Sequence, residues 1–256
     1  MVLDSSRRMT PDDMKALQQN NYNLYASEIL PYLLDALNTS GCLTAAEKQM
    51  ADQLGAWNYM QHRDSLSPVL FDLWHEGFED MTWEELDTLG VMRPEEWRMI
   101  EIIRDYPQHR YFDIPQTIDK QETFQDIACA SFSRMCNDFY AMPDDEKKNW
   151  GAYKHSTIPH LARFPHFGID FINTSGGRHI VNAMSKSQGP SWRMIVELSS
   201  PPKAWVNYPG GQSGNPASPH YMDMVDGFFE GKYYEVTLRN DPEAWTPARQ
   251  FNIIPQ

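Results

Sequence analysis

Helices first and a small antiparallel sheet second, an α+β order, is the arrangement this sequence predicts. Three observations predict it. Apolar residues recur three or four apart from about residue 10 to about 140, the spacing of one helix face. From Trp150 that periodicity disappears, while Gly, Pro, His and aromatic residues rise. Between about 177 and 238 a period of two takes over, as half-buried strands require.

Thr10-Pro11-Asp12-Asp13 opens the first helix with a capping Thr, Pro at the first helical position and acids against the positive end of the helix dipole. That helix is expected to run to about Leu37, with a bend at Pro31. Thr44 to Glu47 forms a capping box that starts a second helix, with Met50, Leu54 and Trp57 on its apolar face. The stretch Arg63 to Pro68 starts a third, striped by Val69, Leu70, Leu73 and Trp74. Short helices are expected to begin near Thr82 and Arg93. A long helix follows from about Ile118 to Tyr140, lined by Phe124, Ile127, Phe132, Met135 and Phe139, and Pro143 ends it.

The strands come next. Gly177 to Ser185 and Ser191 to Leu198 are expected to pair as a hairpin through Gln188-Gly189-Pro190. In the second of them Trp192, Met194, Val196 and Leu198 alternate with Arg193, Ile195 and Glu197, the period of two expected of a half-buried strand. Ala204 to Tyr208 is a third short strand, Met222 to Glu230 a short helix, and Tyr233 to Leu238 a last strand. The acidic Asp144 to Glu146 beside Lys147 and Lys148 is a solvated turn.

A net charge of -13, from 35 acidic against 22 basic residues, argues against nucleic acid or an anionic membrane as partner, since both select for basic surfaces. No apolar run approaches the ~20 residues of a membrane span. The first residues, Met1 to Arg8, place basic residues after a few apolar ones and do not form a secretory signal. Cys42, Cys129 and Cys136 are odd in number and widely spaced, so neither a disulfide framework nor a zinc site is expected, and buried thiols are.

Two stretches invite a chemical reading. Gly211-Gln-Ser213-Gly-Asn215 approaches the nucleophile elbow G-x-S-x-G, yet Asn stands at its last position and two further prolines precede any helix. A glycine-rich structural turn accounts for it better, and a phosphate loop is a weaker reading still, since the Gly-Lys-Ser/Thr ending is absent. A dyad of Ser213 with His220 needs an orienting acid, for which Asp223 and Asp226 are nearby in sequence. His155, His160 and His166 share one Pro-rich run, but spacings of five and six do not put them on one helix face, and the run holds no acidic or Cys ligand. Hydrogen-bonded histidines in an irregular loop are the reading taken. No residue is assigned as catalytic, cofactor-binding or metal-ligating, and no cofactor is expected.

Gly189-Pro-Ser-Trp-Arg-Met-Ile-Val196, followed by Pro209-Gly-Gly-Gln-Ser-Gly-Asn-Pro-Ala-Ser-Pro-His-Tyr221, resembles the C-terminal part of the β-subunit in the penicillin acylase family. Leu54-Gly-Ala-Trp-Asn-Tyr59 with Asp64-Ser65 is similar to that family's L-x-x-W-D-x-x-x-x-x-D-S pattern, with Asn58 in place of the Asp. Glu122-Thr123, Trp150-Gly151 and Ile158-Pro-His-Leu161 fall in the family's order, so the resemblance covers nearly the whole chain.

The resemblance implies an N-terminal-nucleophile hydrolase with a four-layer αββα fold, of which this chain is the C-terminal portion. Residues 1–256 are then a single incomplete domain, mainly helical over 1–149 and strand and loop over 150–256. The implied activity is removal of an acyl group from an amide, such as a β-lactam side chain or an N-acyl compound. The nucleophilic N-terminal Ser and the oxyanion-hole Asn of that family lie in a part this chain does not contain. The implied partners are the α-subunit and the N-terminal part of the β-subunit, and the chain alone is expected to be inactive. The family is commonly periplasmic, although nothing in this chain directs export. Two alternatives stand beside this reading: a non-catalytic scaffold or binding protein derived from the fold, and a self-sufficient hydrolase using Ser213.

Overall fold

A computed structural model describes residues 8–114, 116–144, 149–186 and 188–237. The chain divides into two compact units, one of residues 19–189 and one that joins residues before 19 to residues from 190 onward. The α+β order is as expected: helices α1 to α7 occupy Pro11 to Ala141, and all five described strands follow residue 155.

The expected helix from Thr10 to Leu37 is two helices, α1 (Pro11–Gln18) and α2 (Leu24–Ser40), one in each unit. The break is built by asparagines, whose short amides compete with the helix for backbone groups. Asn20 Oδ1 accepts from the Tyr22 N–H at 2.8 Å and Asn23 Oδ1 from the Ala26 N–H at 2.8 Å, capping α2. Pro31 stands inside α2, and Gly41, at φ 64°, closes it in the left-handed conformation.

In the larger unit, α3 (Ala45–Gly55) starts at the expected capping box, with Thr44 and Glu47 exchanging bonds. α4 (Ser67–Thr82) follows, then the short α5 (Glu84–Thr88) and α6 (Glu96–Asp105). The long helix α7 (Phe124–Ala141) begins six residues later than its apolar pattern suggests, because Thr123 and Asp126 form a second capping box that sets its start. α4 packs along α7, and here the core is aromatic. Trp74 meets Phe132 edge-on at 4.7 Å, and its indole N–H donates to Ser131 Oγ at 3.1 Å, so a large ring is buried without orphaning its donor. Leu30, Leu33, Leu37, Leu54 and Phe78 complete this core with almost no exposed surface.

The cysteine expectation needs correction. Cys42 and Cys129 form a disulfide with their Cα atoms 6.2 Å apart, while Cys136 is a buried free thiol as expected. Packing of α2 against α7 brings together two residues 87 apart in sequence, which spacing alone does not disclose.

The strand pairing also differs. Residues 177–185 form turns, and the strand β3 (Arg193–Glu197) pairs instead with β4 (Lys203–Asn207), which pairs with β5 (Tyr234–Thr237). The backbone of the turn segment is occupied elsewhere: the carbonyls of Ser175, Gly176 and Met184 bind Lys154, and the Asn182 N–H binds the Asn20 carbonyl. A further pair, β1 (Ser156–Ile158) with β2 (Ile169–Ile172), arises where an irregular loop was expected, after the short helix α8 (Trp150–Lys154). In the smaller unit α1 packs on β3, and α9 (Val225–Phe229) lies within the expected 222–230 segment. Residues 145–148 of the expected solvated turn and Leu238 of the last strand lie outside the described residues.

Candidate functional site

The glycine-rich loop behaves as a turn. The Ser213 N–H donates to the His220 carbonyl at 3.0 Å, and Ser213 Oγ accepts from the Asn215 N–H at 3.1 Å. A side chain on Gly211 would strike the backbone of His220 and Tyr221, so this glycine is what lets the two limbs of the loop approach. His220 Nδ1 bonds Asp223 at 2.8 Å, so the acid near in sequence does reach the imidazole. Ser213 Oγ nonetheless sits in a local backbone turn, and no hydrogen bond joins it to the His220 ring among those described.

The three histidines disperse. His155 caps α8 in the left-handed conformation at φ 45° and lies against Phe171 at 5.0 Å. His160 Nδ1 accepts from the Ala162 N–H at 3.2 Å and contacts the rings of Phe164 and Phe167. His166 sits in a 3-10 turn. Among the described residues no group of three or more His, Cys, Asp or Glu is placed to hold a metal ion.

The structure gathers its perturbed titratable groups elsewhere, in a cleft of about 520 Å³ within the larger unit. Helix α4 contributes Asp72, His75, Glu76, Glu79 and Asp80, spaced to fall on one face, opposite the apolar stripe. The turn segment 173–186 roofs this face and brings Arg178 and His179, while α6 and the residues before it bring Glu96 and Arg93. Sequence reasoning missed this cluster: the signal was present as ionisable residues three and four apart along α4, a pattern that ordinarily marks a solvated face.

His75 Nε2 bonds Tyr25 Oη at 2.9 Å and lies 3.8 Å from Glu79, with its ring stacked on Phe71. Burial, with His179 and Arg178 adding like charge, pulls His75 down to about 4. Burial and the neighbouring Glu96 push Glu79 up to about 7. Burial also raises Asp72 to about 6, although the Tyr153 hydroxyl, donating to it at 3.0 Å, works the other way. The Tyr25 hydroxyl is pushed well above its usual range by burial and by Glu79 and Glu96. At neutral pH the cleft therefore holds an uncharged imidazole beside a carboxyl poised between its two states.

At the inner end, Lys154 donates its three N–H groups to the carbonyls of Ser175 at 3.0 Å, Gly176 at 3.1 Å and Met184 at 2.8 Å. Burial pulls its ammonium down to about 7. The Trp150 indole N–H donates to the same Gly176 carbonyl at 2.6 Å. Lys154 thus ties the irregular segment 173–186 to α8 with a single side chain. Gln61, only 4% exposed, lies against Gly177, and its Oε1 has no hydrogen-bond partner among the described residues. The cleft's serine, Ser185, donates its hydroxyl to the Gln188 carbonyl rather than to a base. Proton-exchanging groups are present here, but among the described residues of the cleft no serine hydroxyl or thiol is paired with a base, and burial with Glu79 and Glu96 holds the Tyr25 hydroxyl, bonded to His75, in its protonated form.

The penicillin amidase family model matches residues 1–244, almost the whole chain. The chain belongs to the penicillin amidase family. A thermostable penicillin G acylase from Alcaligenes faecalis shares the fold at a TM-score of 0.54 and 14% identity, over 97% of this chain and 50% of that one. This chain thus spans about half the length of the solved acylase chain. Short, stronger likenesses link it to the acyl-homoserine lactone acylases QuiP of two organisms. It is 51% identical to that of Pseudomonas aeruginosa over 45 residues, 17% of this chain and 5% of the relative. It is 41% identical to that of Pseudomonas putida over 49 residues, 19% of this chain and 6% of the relative. The family match extends the resemblance of the 189–221 motifs to residues 1–244.

Proposed function

We propose that this chain is the C-terminal part of a penicillin-amidase-type amidohydrolase, inactive alone, which cleaves the acyl group from an amide once the rest of the polypeptide is present. A β-lactam side-chain amide or another N-acyl compound is the substrate class, consistent with the acylase names of its relatives. The observation that carries the reading is the match of the family over residues 1–244 to a chain covering only half of a solved acylase. Acyl transfer needs an activated nucleophile and fixed donors facing the developing oxyanion. The Ser213 turn and the α4 cleft supply neither, which supports assigning both to the partner segments, the α-subunit and the N-terminal part of the β-subunit.

The test is hydrolysis of phenylacetyl and long-chain acyl amides. The purified chain turns over neither, and co-expression with the polypeptide encoded immediately upstream restores turnover that Ser213→Ala leaves intact. Turnover by the chain alone, lost in Ser213→Ala, overturns the reading in favour of a self-sufficient serine hydrolase. A stable complex without turnover on any acyl amide favours the non-catalytic scaffold.

A further inference from the structure

We propose that the outer face of the β3–β4–β5 sheet is a docking surface, and that its occupant is the remainder of the penicillin-amidase polypeptide, presenting an apolar face of its own. The registers align the side chains of Met194, Val206 and Tyr234 in one row and those of Val196, Ala204 and Val236 in the next, where the small Ala204 is itself only 5% exposed between two larger, more exposed residues. Trp192 and Leu198 extend the same face by the strand's period of two. On β3 the apolar set is the open one: Met194 is 44% and Val196 40% exposed, while Arg193 and Ile195 are 6% and 7%.

The opposite face is already filled within the same unit. Lys15 of α1 lies 4.6 Å over the Trp205 ring, and Gln18 Nε2 donates to the Met194 carbonyl at 3.3 Å. Arg193 lies 4.6 Å over Phe228 of α9 and donates to its carbonyl at 3.2 Å, and Asn207 Nδ2 donates to the Lys232 carbonyl at 2.7 Å. An antiparallel sheet with one solvated side carries polar residues there. This one carries apolar residues on its open side and polar anchors on its closed one. A contiguous apolar patch of this kind marks an interaction surface.

Two observations select the occupant. The similar solved chain is covered for only half its length by this one, so a comparable length of polypeptide accompanies the shared fold there. A second copy of this chain is disfavoured, because each copy carries a net charge of -13 and would bring a like-charged body to a face without a charged side chain. The inference rests on the function reading only in naming that partner.

The experiment co-expresses the full chain with the polypeptide encoded immediately upstream and measures retention by pull-down and light scattering. The wild type is expected to give a one-to-one complex. Met194→Glu with Val196→Glu should weaken it by about 100-fold or more, since charge is buried at the centre of an apolar contact. Lys203→Glu, on the other face of the same sheet, should leave it unchanged, and matching circular dichroism melts show that the variants fold. Retention of the double variant equal to wild type overturns the proposal, as does failure of the wild type to form any complex. A wild-type homodimer dispersed by the double variant also overturns it, in favour of a second copy. So does an unbound monomer whose outer face opens to a hydrophobic dye only on truncation after Thr237, in favour of the chain's own residues. A face-dependent complex that hydrolyses no acyl amide keeps the proposal and removes the function reading; a face-independent complex with turnover does the reverse.

Discussion

Removing the Cys42–Cys129 bridge, by Cys42→Ser with Cys129→Ser, should lower stability by an amount set by the loop it closes. The two residues are 87 apart. Loop-closure entropy of the form 2.1 + 1.5R ln n cal/mol/K then gives about 4.6 kcal/mol at 25 °C. Since a domain's whole stability is of order 5–15 kcal/mol, this is a large fraction of what holds the helical unit folded. With a urea m-value of about 3 kcal/mol/M, the midpoint should fall by about 1.5 M. Equilibrium unfolding followed by tryptophan fluorescence measures it, because Trp74 and Trp83 are buried in the unit the bridge closes. Thiol titration checks the premise: denatured, unreduced protein should expose one reactive thiol, Cys136, and reduced protein three. A loss below about 1 kcal/mol, or three thiols without reductant, refutes the reasoning.

Lys154→Met should destabilise by about 2–4 kcal/mol, since the carbonyls of Ser175 and Met184 lose their side-chain donor and that of Gly176 keeps only Trp150; urea unfolding measures it, and a near-neutral result would show that the segment 173–186 is held by other means. Glu79 has a folded pKa raised from 4.5 to about 7, so its contribution is fully present below 4.5 and lost as pH rises through 7. Glu79→Gln should therefore gain on wild type between pH 5 and 8, and a stability difference independent of pH across that window contradicts a protonated buried carboxyl. Gly211→Ala should lower the melting temperature and loosen the 208–221 loop in hydrogen exchange, because the new Cβ meets the backbone of His220 and Tyr221.

Local chemistry made the helices legible. Thr44 with Glu47 and the apolar spacing of α4 are decided by neighbours within one or two turns, and each appears where it was expected, whereas α7 keeps its expected apolar face but starts at its own capping box. The break at Asn20 to Asn23 was hidden because it depends on side-chain amides and on Tyr22 bridging to Met60, a contact made in space. The strand partners were misjudged for a related reason. Gln188-Gly189-Pro190 has the composition of a hairpin turn, but the residues before it are committed to Lys154 and Asn20, which the period of two cannot register. The candidate cleft was the least legible part. Its members come from α2, α4, α6, α8 and the 173–186 segment, and the carboxyls on α4 read as solvated until a roof is placed over them.

The smaller unit is stitched from opposite ends of the chain: Gln18 meets Met194 across 176 positions and Tyr233 across 215. Synthesis runs from one end to the other, so residues 19–189 leave the ribosome before β3, β4 and β5 exist. During that interval α1, only 8 residues long, has none of its strand partners and is too short to hold its helix by itself in water. The helical unit is therefore the part able to fold first, and α1 waits as an open tether. This topology thus has β3, β4 and β5 fasten α1 down only after residues 19–189 have emerged.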